Sequence, residues 1–484
     1  MATTQQPHTE FVRAITRLDA TALVVGSMIG SGIFIVSAQT LRDVHAPGVM
    51  LLIWALAGAV TLMGALTYGE LAAMFPNAGG QYIYLRESIS PLFGYLYGWT
   101  LFVVIQTGTI AAVAVAFARF TGVLFPALTP DVFLGGTVSF PQPIGPITVG
   151  VSPQRVLAVA SIVILTWINV RGVRTAALIQ TSLTAIKTGA LAVLILLGLT
   201  IGRDAAAIAD NFGPHFWPAE GLRLGWLPVI GAAMVGALFS MDAWNNVGFA
   251  GSELKDPKRD LPFAMATGVL TVTVLYLLAN VAYLCVLPGD AIANAPQDRV
   301  ATAALKVILG DPGLYVMAAA IMISTFGCNN GLILSGARVY YAMARDNLFF
   351  TSAGRLHPTY RTPAVALVVQ AVWTSVLCLS GTYGQLLDFV IFAALVFYML
   401  AAVGLFSLRM KRPGAERPVR VAGYPWLPAL YFVATGLIAL AMLVEKTTYS
   451  GLGLLCVLLG VPVYFVWRAV VKPSAQIGGT PRAP

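Results

Sequence analysis

The feature that most constrains this chain is the recurrence of apolar runs about as long as a bilayer is thick. A helix rises about 1.5 Å per residue, so a hydrocarbon core of about 30 Å takes roughly 20 mostly apolar residues. Runs of that kind fall at about 19–43, 48–74, 91–120, 154–171, 176–201, 227–251, 263–287, 313–344, 363–380, 384–408, 426–444 and 450–470. Their length suits helices, which satisfy every backbone group within the segment, as lipid requires. Charged residues make up only 10% of the 484, against about 25% in soluble domains. A chain so poor in charge cannot cover a water-facing surface. The expectation is one all-α membrane domain of twelve transmembrane helices rather than several soluble units.

The net charge is +9. In a soluble chain this would raise nucleic acid as a partner. Here most Lys and Arg fall in alternate loops, among them Arg171, Arg174, Lys255, Lys258, Arg259 and the cluster Arg409, Lys411, Arg412, Arg417 and Arg420, while the acidic residues show no such bias. That skew is the positive-inside pattern. It predicts a plasma-membrane protein with both termini cytoplasmic and no nucleic-acid partner. Residues 1–18 are polar, and the first apolar run leads on into the chain. They read as a cytoplasmic tail rather than a cleavable signal, and 471–484 as a second tail. Cys285, Cys328, Cys378 and Cys456 each sit in an apolar run without metal-ligand spacing. They read as small packing residues, and no metal or cofactor is expected.

Two of the runs look broken. The first contains Gly26-Ser27-Met28-Ile29-Gly30-Ser31-Gly32-Ile33-Phe34. Small residues at Gly26 and Gly30 could form a close-packing face between helices. Alternatively the helix unwinds there, which membrane depth tolerates only where backbone lines a cavity or ligand. The sixth run contains Phe239-Ser240-Met241-Asp242-Ala243-Trp244-Asn245-Asn246. A charge at the bilayer centre costs at least about 2.5 kcal/mol, so Asp242 marks a lined cavity or a partner. Paired interruptions at matching places in two halves point to a transporter site. Half-helix N-termini suit a carboxylate and half-helix C-termini an ammonium. An α-amino acid offers both on one carbon.

Together these segments resemble the amino acid–polyamine–organocation (APC) transporter superfamily, and within it the L-amino acid transporter (LAT) group, over about residues 16–410. Three further stretches carry the likeness. They are Tyr68-Gly69-Glu70-Leu71-Ala72-Ala73-Met74-Phe75-Pro76-Asn77-Ala78-Gly79-Gly80-Gln81-Tyr82, the loop Glu253-Leu254-Lys255-Asp256-Pro257-Lys258-Arg259-Asp260-Leu261-Pro262, and Ser335-Gly336-Ala337-Arg338 through Ala344-Arg345-Asp346. The resemblance implies a five-plus-five inverted repeat, 19–201 and 202–408, with discontinuous helices 1 and 6 and two extra helices in 409–470. It implies a secondary transporter working by alternating access, a sodium-independent L-amino acid exchanger or permease, and not an enzyme. It would place the substrate carboxylate at Gly30, Ser31 and Gly32, with Ile29 beside them, and the ammonium at the carbonyls of Phe239, Ser240 and Asp242. Phe239 would be an aromatic gate, with Trp244 and Asn245 at the site. Gly108 and Thr109 are weaker candidates for the side-chain pocket. Many members have Gly where this chain has Asp242. Heavy-chain-linked members use a cysteine in the outer loop between helices 3 and 4. The corresponding 121–153 has none, so no disulfide-linked heavy chain is expected.

Lys187 lies near the middle of the fifth run, which argues against a lysine snorkelling to the interface. In the resembling group a fifth-helix lysine can stand where sodium sits in coupled relatives. Its ammonium would bridge helix 1 carbonyls and helix 8, which offers Ser324, Thr325 and Ser335. Glu70 reads as half of a structural ion pair, Arg338 and Arg345 as anchors or gate pairs, and Asp388 carries no assigned role. The histidines, His8, His45, His215 and His357, lie in loops or tails. A polyamine or amine carrier, suggested by Asp242, and a membrane nutrient sensor are the alternatives.

Overall fold

The computed structural model describes residues 13–470, apart from 14, 78, 131–132, 136–137, 141–146 and 381–382. The C-terminal tail 471–484, nearly all of the N-terminal tail and parts of the 121–153 loop therefore lie outside the described residues. Ten helices are long and apolar enough to cross a membrane, and eleven spans result if the bent pair Arg17–Met28 and Gly32–Val44 counts as one. One further apolar helix, Ala364–Ser380, has 17 residues.

Numbered by the expected runs, the first span is the bent pair, turned by 42°. The second is Pro47–Met74 and the third Pro91–Leu124. The fourth is Pro153–Arg171 and the fifth Val173–Leu199. The sixth is Trp226–Glu253, and the seventh and eighth are Pro257–Val286 and Asp311–Arg345. Ala364–Ser380 stands ninth. Tyr383–Lys411, Trp426–Glu445 and Thr447–Val470 follow. Proline opens several of these helices, at Pro47, Pro91, Pro153 and Pro257, where its missing N–H costs nothing. A short antiparallel hairpin, Val138–Phe140 with Ile147–Val149, departs from the all-α expectation.

The helices pack around the two broken spans. Gly32–Val44 lies against Trp226–Ser240, while Arg17–Met28 lies against the seventh span and Trp226–Ser240 against the second. The second span pairs with the seventh, the third with the eighth and the fourth with the ninth. The fifth packs on the seventh and eighth, and the tenth on the second and third. Large apolar residues remain exposed along the outer faces, among them Leu196, Val372, Leu437 and Phe465. Water would not tolerate a belt of this kind, and lipid would.

Candidate functional site

The first break begins where Arg17–Met28 stops. A capping box, Thr16 with Asp19, starts that helix. It ends at Ile29, whose ψ of 87° leaves the helical region. A new helix begins at Gly32, with Ser31 as a cap that makes no side-chain capping bond. The first N–H groups of a helix have no intrahelical partner, so Gly32 and Ile33 present free donors at mid-bundle. The carbonyls on the other side of the break are all engaged. Lys187 Nζ donates to Gly26 O, and Cys328 Sγ lies 3.1 Å from Ser27 O. Tyr276 Oη is 2.9 Å from Met28 O. Ser324 Oγ lies 3.3 Å from Ile29 O and 3.4 Å from Gly30 O. Of the helix 8 hydroxyls expected near Lys187, Thr325 and Ser335 instead bond carbonyls of their own helix.

The sixth span breaks in the opposite sense. Its helix ends at Ser240, Met241 caps it, and Ala243 takes a left-handed φ of 67°. A 3₁₀ segment, Trp244–Glu253, continues. The same Tyr276 hydroxyl lies 3.1 Å from Ser240 O, so one phenolic proton is shared between carbonyls of both breaks. The two half-helices touch at Gly32, where a Cβ would stand 2.0 Å from Ser240 Oγ and 2.9 Å from Ser240 Cα. The packing and unwinding readings of the first segment are thus both realised. Glycine is required at Gly32 for close approach, beside a helix that is interrupted.

Gly30, Ser31, Gly32, Thr109, Phe239, Ser240 and Asp242 line one cavity between the breaks, together with Cys328 and Leu332. Tyr383 closes it from the tenth span. Its hydroxyl is 3.2 Å from Ser31 Oγ, and its ring packs edge-on to Phe239 at 6.0 Å. Asn245 lines a second, adjoining cavity, and Trp244 a third, apolar one. Ile29, Gly108 and Lys187 line none of the three. Gly108 is packed so closely that a Cβ would meet Val390. Asp242 borders all three cavities. Its carboxylate accepts bonds from the Tyr398 hydroxyl and the Ala243 N–H.

Both ends of the bundle are shut. At the end expected to be outer, Asp298 pairs with Arg42 at 2.7 Å and Arg119 at 3.8 Å, and Arg119 sits over the Tyr383 ring. At the other end Arg338 pairs with Glu253 at 2.5 Å in a buried bridge. Ile15 forms a parallel bridge to Leu254, and Arg17 pairs with Asp260 at 2.7 Å. Asp346 accepts from Tyr82 at 2.6 Å and from Arg86. Burial and the Asp346 carboxylate push the Tyr82 hydroxyl well above its ordinary range, so it stays protonated and donating. Glu70 is held by Arg409, Arg417 and the Val421 N–H. Asp388 pairs with Lys446 at 2.7 Å.

Sequence reasoning did not reach Tyr276, Tyr383 or Tyr398, because a tyrosine in an apolar span gives no local sign of what its hydroxyl meets. It also missed a π-helical turn, Leu101–Ile105, inside the third span. Such turns cluster at functional sites.

Two half-helices ending head to tail across a cavity at mid-bundle define a discontinuous-helix membrane transporter. Residues 15–466 match the amino acid permease family, and the chain belongs to that family. Relatives include the serine/threonine exchanger SteT of Bacillus subtilis, 31% identical over 95% of this chain and 98% of its own. The Asc-type amino acid transporter 1 of Mus musculus is 30% identical over 95% of this chain and 82% of its own. The large neutral amino acids transporter small subunit 2 of Homo sapiens is 30% identical over 94% and 80%. The family is one of transporters, not enzymes.

Proposed function

We propose that this protein exchanges L-amino acids across the plasma membrane by alternating access, without sodium. The observation that carries this is the facing of the free N–H groups of Gly32 and Ile33 and the helix end at Phe239 to Asp242 across one cavity. The α-carboxylate takes the N–H groups, as anions do at helix N-termini. The ammonium takes the C-terminal end of the sixth-span helix, where Phe239 O and Ser240 O each keep a second lone pair beside their bonds to the Asp242 N–H and Tyr276. The three relatives, named for carrying amino acids, support the same substrate class.

Twelve spans in a five-plus-five inverted repeat, 19–201 and 202–408 with 409–470 appended, would account for the packing. Adding five to the span number turns the main neighbouring pairs described above into one another. The first and seventh become the sixth and second, the fifth and eighth become the tenth and third, and the second and seventh exchange with themselves. The Lys187 ammonium on Gly26 O supplies a fixed cation where a coupled carrier would hold a mobile one. The skew of Lys and Arg supports cytoplasmic termini. The four cysteines lie in helices, buried or half-buried, which supports a carrier without a disulfide-linked heavy chain.

The test is reconstitution. Ligand binding at a hundred times the dissociation constant stabilises by about 2.7 kcal/mol, so a thermal-shift screen of amino acids and amines finds the substrate. Radiolabel exchange in proteoliposomes, with sodium replaced by choline, then follows. Stabilisation by amines alone would establish the amine carrier. Binding without flux would make the protein a sensor, and a strict sodium requirement would remove the role given to Lys187.

A further inference from the structure

We propose that the cavity lined by Asn246, Asp242 and Thr109 is a side-chain subsite for amino acids bearing a carboxamide, with Asn246 as the residue that reads it. This rests on the transport reading above and deepens it. The cavity adjoins the one between the breaks, and the two share Thr109, Asp242, Ala243 and Leu332. In this closed state the two are water-sized voids side by side, and a substrate whose α-carbon groups sit at the breaks extends its side chain into the polar one as it widens.

The lining is polar where a pocket for leucine or phenylalanine would be apolar. Asn246 is 4% exposed, and its Nδ2 has no hydrogen-bond partner among the described residues. An unpaired buried donor is costly, and here it belongs to a residue that lines a cavity. The occupant must therefore bring an acceptor. Asp242 supplies the complementary need. Its Oδ1 is taken by Tyr398, and an ionised carboxylate retains further acceptor sites. Thr109 Oγ1 donates to Ile105 O at 2.7 Å and so also faces its neighbours as an acceptor. A carboxamide carries a carbonyl acceptor and an N–H₂ donor pair on one planar carbon. It satisfies Asn246 and Asp242 together.

Other side chains do so less well. A carboxylate is repelled by Asp242, a hydrocarbon leaves Asn246 unpaired, and an amine has nothing to offer its donor. A hydroxyl donates and accepts at a single oxygen, so it satisfies both only where Asn246 and Asp242 come within reach of that one atom. The apolar cavity lined by Val60, Leu238 and Leu395 shares Asp242 and Tyr398 with the polar one, and the bond between those two side chains holds the carboxylate in place. The π-helical turn contributes Leu101 and Ile105 to the same polar cavity.

Wild-type proteoliposomes exchanging labelled alanine test this directly. Unlabelled glutamine and asparagine are compared as competitors with methionine and leucine, of similar shape without the amide, and with glutamate and lysine. The better carboxamide should compete at least tenfold more strongly than its apolar counterpart. Asn246→Leu should lower that ratio at least tenfold, with a monodisperse gel-filtration peak and an unchanged melting temperature as the measures of folded carrier. Methionine, leucine or lysine winning in the wild type would overturn the proposal, and so would an unchanged ratio in Asn246→Leu. The competitor series stands even if that variant does not fold. Loss of the transport reading would look different, since then no amino acid would be exchanged or stabilise the protein.

Discussion

The two broken spans meet at one cavity, yet they are held in opposite ways. At the first break the carbonyls of residues 26–30 are engaged by side chains of the fifth, seventh and eighth spans. What remains for a ligand is the N–H edge of Gly32–Val44. At the sixth break Tyr276 reaches only Ser240 O, and the following carboxylate is tied to the tenth span through Tyr398. The difference shows how a substrate of two opposite charges is read by one material, the peptide backbone. One break is pinned through its acceptors by side chains of three other spans and offers donors, and the other holds Phe239 O on its own turn through the Asp242 N–H and Ser240 O on Tyr276.

Crowding the seam between the breaks should have the largest effect. Gly32→Val is expected to abolish substrate binding in a thermal-shift assay, because its side chain meets the Ser240 backbone as well as its hydroxyl. Gly32→Ala should be milder, and Gly32→Ala with Ser240→Gly should recover part of the loss by removing the 2.0 Å contact. Normal exchange by Gly32→Val would refute the seam.

Next comes the pin on the first break. Lys187→Ala leaves Gly26 O unpaired where water does not reach, a loss of about 1–3 kcal/mol, or about tenfold to a hundredfold in exchange rate. Exchange in the wild type should persist in choline. Unaltered rates in Lys187→Ala would reduce the residue to a packing role.

Tyr276→Phe tests the one contact common to both breaks. With the shared proton gone, exchange should fall about tenfold, by the same penalty for an unmade bond, while the ring keeps its packing on Trp54 at 5.5 Å. An effect on one face only, seen as a change in affinity measured from one side of the membrane, would show that the two breaks are not coupled through this hydroxyl.

The smallest effect is expected at the lid. Phe239→Ala removes an edge-on pair with Tyr383, worth about 0.5–1.5 kcal/mol beyond its buried area, and opens the cavity to water. Exchange should drop several-fold with expression retained. Full activity would mean that Tyr383 and Arg119 close the cavity without it.

Much of this site is legible in the sequence because its causes are local. Glycine and serine crowded in an apolar run weaken one turn of helix, and Asp242 and Asn245 within another cannot face lipid. The broken spans follow from those few residues, whereas Gly30, Ser31, Gly32 and Phe239 are placed at the site by the family resemblance, and all four line the cavity between the breaks. Gly108 shows the limit, since a glycine that packs against Val390 looks the same in sequence as one that lines a pocket. Ser324 shows another. The sequence offers its hydroxyl as an acceptor for Lys187, whereas in the fold it donates toward Ile29 O and Gly30 O.

By itself, the sequence determined that the chain lives in lipid, where its helices run, and which two of them are interrupted, because hydrophobicity, propensity and the cost of buried charge act within a single segment. Tertiary structure alone decided which side chains meet the carbonyls and carboxylate at the two breaks. Lys187 meets Gly26 across 161 residues, Tyr276 meets Met28 across 248 and Tyr398 meets Asp242 across 156. A hydrogen bond depends on a few tenths of an ångström and on direction, and distances of that order exist only once the spans have packed.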